Sequence, residues 1–334
     1  MLIDLSAEEA DAPGPVSTGQ LLAPEDVRRL VQEAHVRYAG LGDGRVADYI
    51  PALARVAPEL FGIAVVGVSG NVYEAGDAHC AFTIQSISKP FVFALVCQEI
   101  GYLAAREKLG VNATGLPFNS VMAIELNRDR TMNPMVNAGA IATTSLVPGN
   151  SPAAKWQFVQ DGLSRFAGRR LSLDVEVYES EAATNQRNQG IARLLQAYER
   201  IYFDPLQAVD VYTKQCALAV TAHDLAVMGA TLADGGVNPV TKEQVVDPVV
   251  AKRVLAVMAT AGLYEQSGDW LFEIGLPGKS GVGGGIVTIA PGKGGLGVFS
   301  PPLDGAGNSV RGQKVTKFLS ERLGLNLFAS KPAA

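Results

Sequence analysis

Histidine and cysteine are scarce in this chain, with three of each among 334 residues. A triad built on imidazole, or a zinc centre of His and Cys ligands, would draw on most of them. Cys80, Cys97 and Cys216 are odd in number and far apart, so neither a disulfide framework nor a zinc knuckle is encoded, and no metal is expected. Reduced thiols in a cytoplasm fit that usage. His35 falls on a helical stretch, His223 in the first turn of another, and His79 beside Cys80. Neighbours in an extended strand face opposite ways, so a His79–Cys80 dyad has poor geometry. Each histidine reads as surface or satisfied core.

Charge is also sparse. Charged residues make up 18% of the chain and hydrophobic ones 48%, a globular balance that excludes disorder. The net charge is −5 with no basic run, so nucleic acid is not an expected partner. No apolar stretch approaches the ~20 residues of a membrane span. The start, "MLIDLSAEEADAPGPVSTGQ", has neither a basic leader nor a continuous apolar segment. It reads as a flexible tail over residues 1–20 and not as a secretory signal.

The patterning that is present places elements at both ends. "PEDVRRLVQEAHVRYAG" carries Val27, Leu30, Val31, Ala34 and Tyr38 at helical spacing, with Pro at the start and Gly at the end. "FGIAVVGVSGNVYEAGD" reads as a hairpin around Ser-Gly-Asn, and "GGIVTIAPGKGGLGVFSPPLD" as a second around "PGKGG". "NSVRGQKVTKFLSERLG" sets Val315, Phe318, Leu319 and Leu323 on one face of a terminal helix. Between these ends, residues from about 92 to 262 are mostly helical; Thr221 and Asp224 form a capping pair, and Gly235-Gly236 stop that helix. The expected fold is α+β, with an antiparallel sheet assembled from both chain ends and an inserted helical subdomain. A single domain over 21–330 would divide into an α/β part, about 21–95 and 265–328, and a helical part, about 96–264.

Two short strings bear on chemistry. In "FTIQSISKPF", Ser86 precedes Lys89 by three residues, and Pro90 confines the helix start to this point. Ser86 then lies beside free backbone N–H groups that suit an oxyanion. A lysine whose stem enters "FVFALV" is desolvated; its neutral amine can take a proton from a serine hydroxyl. In "GLPGKSGVGGGI" the phosphate-loop pattern fails, because its first glycine would fall where Glu273 stands. "GKGGLG" matches a dinucleotide fingerprint in letters only, since it leads into "VFSPPLD" and not into a helix. What remains is Lys-Ser-Gly entering a strand downstream of Ser-x-x-Lys, the order found in penicillin-recognising serine enzymes. Asn137, Glu181, Asn188, Tyr212 and Tyr264 stand in specific polar strings. Singly each reads as a cap or a solvated face; together they could line an amino-acid pocket.

"QSISKP", "NPMVNAGAI", "SEAATNQRN", "VYTKQC", "GLPGKSGVGGGI" and "SPPLDGAGNSV" together resemble the serine-dependent glutaminases, over most of the chain and in family order. The resemblance implies a β-lactamase/DD-peptidase-like fold and hydrolysis of L-glutamine to L-glutamate and ammonia, without a cofactor. It puts the nucleophile at Ser86 and its partner at Lys89. It puts substrate-binding positions at Tyr49, Asn137, Glu181, Asn188, Tyr212, Tyr264 and the backbone at Val282. Tyr264 is a candidate to share acid/base work with Lys89. A cytoplasmic homodimer or homotetramer is expected; the ankyrin-bearing extensions of some animal members are not seen, so nothing implies their phosphate-driven regulation. Alternative readings are a β-lactam or D-Ala-type amide hydrolase on the same fold, and a non-catalytic glutamine-binding module.

Overall fold

A computed structural model describes residues 20–130 and 132–330. All of the expected tail except Gln20 lies outside them. The described chain opens with α1 (Pro24–Tyr38) and a hairpin of β1 (Gly62–Gly67) and β2 (Val72–Gly76). A two-residue strand, β3 (Phe82–Thr83), passes through a 3-10 turn at Gln85–Ile87 into α2 (Ser88–Ile100). There follow α3 (Tyr102–Leu109), α4 (Met122–Leu126), α5 (Asn137–Leu146) and α6 (Pro152–Ala167). After β4 (Ser172–Leu173) come α7 (Val175–Ala182), α8 (Gln186–Ala197) and α9 (Pro205–Cys216). Then β5 (Leu218–Val220), α10 (Ala222–Ala233), α11 (Pro248–Ala261) and α12 (Ser267–Glu273) lead back to the sheet. The chain ends in β6 (Gly278–Gly281), β7 (Gly285–Ala290), β8 (Gly294–Phe299) and α13 (Val310–Arg322).

The main sheet is antiparallel throughout, in the order β2-β1-β8-β7-β6. The N-terminal hairpin meets the C-terminal strands at β1 and β8, where Val65 pairs with Leu296. Both hairpins read from the sequence are present, and the sheet is drawn from the two ends as expected. A second sheet, β3-β5-β4, ties the approach to Ser86 to the helical region.

Both faces of the main sheet are covered, which explains why β1, β7 and β8 are buried along their whole length. On one face lie α1 and α13. The five apolar residues of the α1 stripe are all buried, as are Val315, Phe318, Leu319 and Leu323 of α13. Burial of each large side chain contributes roughly 1.5–3 kcal/mol. On the other face α10 crosses β8 at very short range. A Cβ on Gly297 would stand 2.1 Å from the Ala222 carbonyl oxygen, and one on Gly295 would stand 2.4 Å from that of Ala226. Gly295 and Gly297 of "GKGGLG" therefore admit a helix to the sheet, a packing role and not a nucleotide-binding one. The α10 start has the expected capping box: Thr221 accepts from the Asp224 N–H, while the Asp224 carboxylate accepts from the Thr221 N–H.

Candidate active site

Ser86 sits in the 3-10 turn that runs without a break into α2, and it is buried. The turn is reached through Gln85, a non-glycine residue at φ +50°. Left-handed backbone of this kind costs on the order of 1–3 kcal/mol and persists where neighbouring structure imposes it. Here the side chain holds it. Gln85 donates to Thr83 Oγ1 at 3.2 Å and to a Glu181 carboxylate oxygen at 3.4 Å. Tyr264 is a second such residue, at φ +57°. Its hydroxyl donates to the Ser280 carbonyl oxygen at 3.4 Å, and the neighbouring Ser86 side chain draws its pKa down.

Lys89 enters the same site from the first turn of α2, entirely buried, with its amine 5.9 Å from the centre of the Phe118 ring. Its ammonium position donates to Asn137 Oδ1 at 2.8 Å and to the Met135 carbonyl at 3.4 Å. Burial lowers its pKa to about 8, against the opposing pull of Cys216 and Glu181. The Ser-x-x-Lys spacing thus delivers the desolvated amine it leads one to expect, with Lys89 engaged by Asn137 and the Tyr264 hydroxyl beside Ser86. A Cβ on Gly139 would lie 2.0 Å from the Asn133 carbonyl oxygen. Only glycine lets the first turn of α5 fold back there, which aims Asn137 at Lys89.

Further polar groups complete the wall. Asn137 Nδ2 donates to Asn188 Oδ1 at 3.1 Å, and the Tyr212 hydroxyl approaches Asn137 Oδ1 at 3.5 Å. Glu181, in the last turn of α7, has its pKa pushed up to about 7 by burial, against the lowering effects of Gln85 and Lys89. Burial also raises the Tyr264 hydroxyl to about 12. The β6–β7 turn brings Val282 beside Ser86: a Cβ on Gly283 would press to 2.6 Å on the Thr83 carbonyl oxygen, and one on Gly281 to 3.0 Å on that of Ile84.

Tyr49, Ser86, Asn137, Glu181, Asn188, Tyr212 and Val282 line one cleft of about 350 Å³. Lys89 and Tyr264 lie beneath its floor, so all nine sequence-nominated residues gather at this place. Three members were not nominated. Cys216 lines the cleft; Gln85 positions Glu181; Lys279 lies buried with its amine 4.1 Å from the Tyr264 ring centre and 2.7 Å from the Ser280 carbonyl oxygen. Burial, reinforced by the charge of Lys89, drives the Lys279 pKa well down. The Lys-Ser-Gly strand motif was the signal that pointed to it.

The Glutaminase family model matches residues 44–328. The chain belongs to the glutaminase family. It is 62% identical over 317 residues to Glutaminase 2 of Yersinia pestis, covering 95% of this chain and 93% of that one. A solved structure described as a probable glutaminase, YbaS, superposes with a TM-score of 0.91 at 45% identity, over 92% of this chain and all of that one. The protein Mglu in its glutamate form superposes at 0.87 and 40% identity, over 92% of this chain and 71% of that one. This glutaminase is accordingly an amidohydrolase with the β-lactamase-like fold of its relatives. The β-lactam and non-catalytic readings find no support among them. Among the described residues no helix is long and apolar enough to cross a membrane.

Proposed function

We propose that this enzyme hydrolyses the side-chain amide of L-glutamine through a γ-glutamyl ester on Ser86. The observation that carries the reading is a buried serine at the floor of a cleft, beside the Tyr264 hydroxyl and one turn from a fully buried lysine whose pKa burial lowers to about 8. Ser86 Oγ attacks the amide carbon as its proton passes to the Lys89–Tyr264 pair. The backbone N–H groups of Ser86 and Val282 hold the oxyanion, each such donor being worth roughly 3 kcal/mol. The same pair returns the proton to the departing nitrogen, releasing ammonia, and water then cleaves the ester to L-glutamate.

Glu181 accepts the substrate α-ammonium in a charge-assisted contact, and Asn137, Asn188 and Tyr212 supply amide and hydroxyl groups for its carboxylate. Tyr49 closes the mouth. We place the enzyme in the cytoplasm, which its three free cysteines support, and read it as a homodimer or homotetramer without a cofactor.

Ammonia release from L-glutamine and L-asparagine, on wild type and Ser86→Ala, tests the assignment. Wild type should prefer L-glutamine, and the variant should lose roughly 10⁴-fold or more in kcat while still binding the substrate. Turnover by Ser86→Ala within tenfold of wild type removes the serine from the mechanism.

A further inference from the structure

The three histidines were set aside one by one in the sequence, but two of them meet in the fold. Glu74 on the edge strand β2, His79 in the connection from β2 to β3, and His223 in the first turn of α10 converge at the surface. His79 Nε2 lies 3.1 Å from one Glu74 carboxylate oxygen, and His223 Nδ1 lies 2.7 Å from the other. The two imidazole rings stack with centres 5.2 Å apart, and all three ligand atoms fall within 4.8 Å of one another.

We propose that Glu74, His79 and His223 form a binding site for one divalent cation of the zinc class, separate from the glutamine cleft. Two imidazoles and a carboxylate suit Zn²⁺, Ni²⁺ or Cu²⁺ and disfavour Mg²⁺ and Ca²⁺, which take oxygen ligands. Around a tetrahedral ion with bonds of about 2.0–2.2 Å, neighbouring ligand atoms stand roughly 3.3 Å apart. One carboxylate oxygen stands 3.1 Å from His79 Nε2 and the other 2.7 Å from His223 Nδ1, so a turn of the carboxylate that presents a single oxygen to the ion, with closer approach of the two rings, completes the set. His79 is 69% exposed on its side chain, which leaves the fourth position open to water.

The frame under the ligands is fixed before any ion arrives. The His223 N–H donates to the Ala78 carbonyl at 3.1 Å, tying the His79 connection to α10. The Cys80 N–H closes a turn onto the Asp77 carbonyl at 3.0 Å, and Gln32 holds the Glu74 backbone carbonyl at 2.9 Å. A bound ion would clip together the sheet edge, the start of α10 and the segment that leads into the Ser86 turn. The result is a stabilising clip and not a reaction centre.

Zn²⁺ titration by calorimetry and thermal unfolding of the tag-free, metal-stripped chain provides the test, with Mg²⁺ and Ca²⁺ as controls. One equivalent of Zn²⁺ should bind and raise the melting temperature by a few degrees, and the controls should do neither. His79→Asn and His223→Asn should each weaken Zn²⁺ binding by tenfold or more. Cys80→Ser should bind as wild type, since the neighbouring thiol is not a ligand. Because His79 is largely exposed, His79→Asn should keep metal-free ammonia release within twofold, which certifies its fold. The proposal is overturned if Zn²⁺ produces no one-to-one isotherm, if His79→Asn binds it undiminished, or if Cys80→Ser loses it.

Discussion

At the floor of the cleft Ser86, Lys89 and Tyr264 are buried, whereas at its mouth Tyr49 is 58% exposed and Glu181 and Asn188 are half-buried. The two ends use burial differently. Below, desolvation moves protons: it lowers Lys89 and Lys279 and raises Tyr264. Above, the side chains are partly exposed and can exchange water for a substrate, although burial still raises Glu181. The floor should therefore govern kcat and the mouth KM.

The sharpest way to break that division is Lys89→Met, which keeps the stem and removes the amine. It should lower kcat by roughly 10²- to 10⁴-fold, the range of a lost general base, with KM changed by less than threefold. Asn137 Oδ1 would lose its 2.8 Å donor, so Asn137→Ala in the Lys89→Met background distinguishes a positioning effect from loss of the base. If Asn137 acts only through Lys89, the second substitution adds little to the loss in kcat. A large KM effect from Lys89→Met alone would erase the contrast.

At the mouth, Glu181→Gln removes a charge while keeping the shape and the contact with Gln85. A charge-assisted hydrogen bond contributes about 1.5–3 kcal/mol, so KM should rise roughly 10- to 100-fold with kcat within a few-fold of wild type. Steady-state kinetics over a wide glutamine range reads both constants. A fall confined to kcat would move Glu181 from recognition to chemistry.

How far the sequence carried differs between these ends for a physical reason. The α1 stripe, both hairpins, the Thr221–Asp224 box and α13 follow from periodicity and turn chemistry, which act within a few residues. The strands β3, β4 and β5 have two or three residues each and no pattern to read. β6 is "GKSG", poor in strand formers, and its conformation comes from pairing with β7. At the site, residue types were legible because motifs preserve them, but partners were not. Lys89 meets Asn137 from 48 residues away, and Glu74 meets His223 from 149. Local pattern carries no information on pairings made by the fold as a whole. The histidines illustrate the cost: each was judged alone, and their meeting depends on how α10 lies on the sheet.

The pH dependence of kcat/KM offers the finest test of the contrast, because each end contributes one titration. In the free enzyme Glu181 must be ionised to receive an ammonium, and Lys89 must be neutral to accept a proton. Deprotonation favours activity in both cases, so kcat/KM rises with pH. Glu181 titrates at about 7 and Lys89 at about 8. The profile should steepen toward a slope of two below the first value, fall to about one between them, and level off above the second, with each unit slope worth tenfold per pH unit. The pair interacts, since each charge shifts the other, so the two apparent values belong to the site jointly. Glu181→Gln should remove one unit of slope at low pH and leave a single rise. A wild-type profile flat between pH 6 and 8.5 would mean that neither end titrates in catalysis, and the floor would then owe its effect to hydrogen-bond geometry alone.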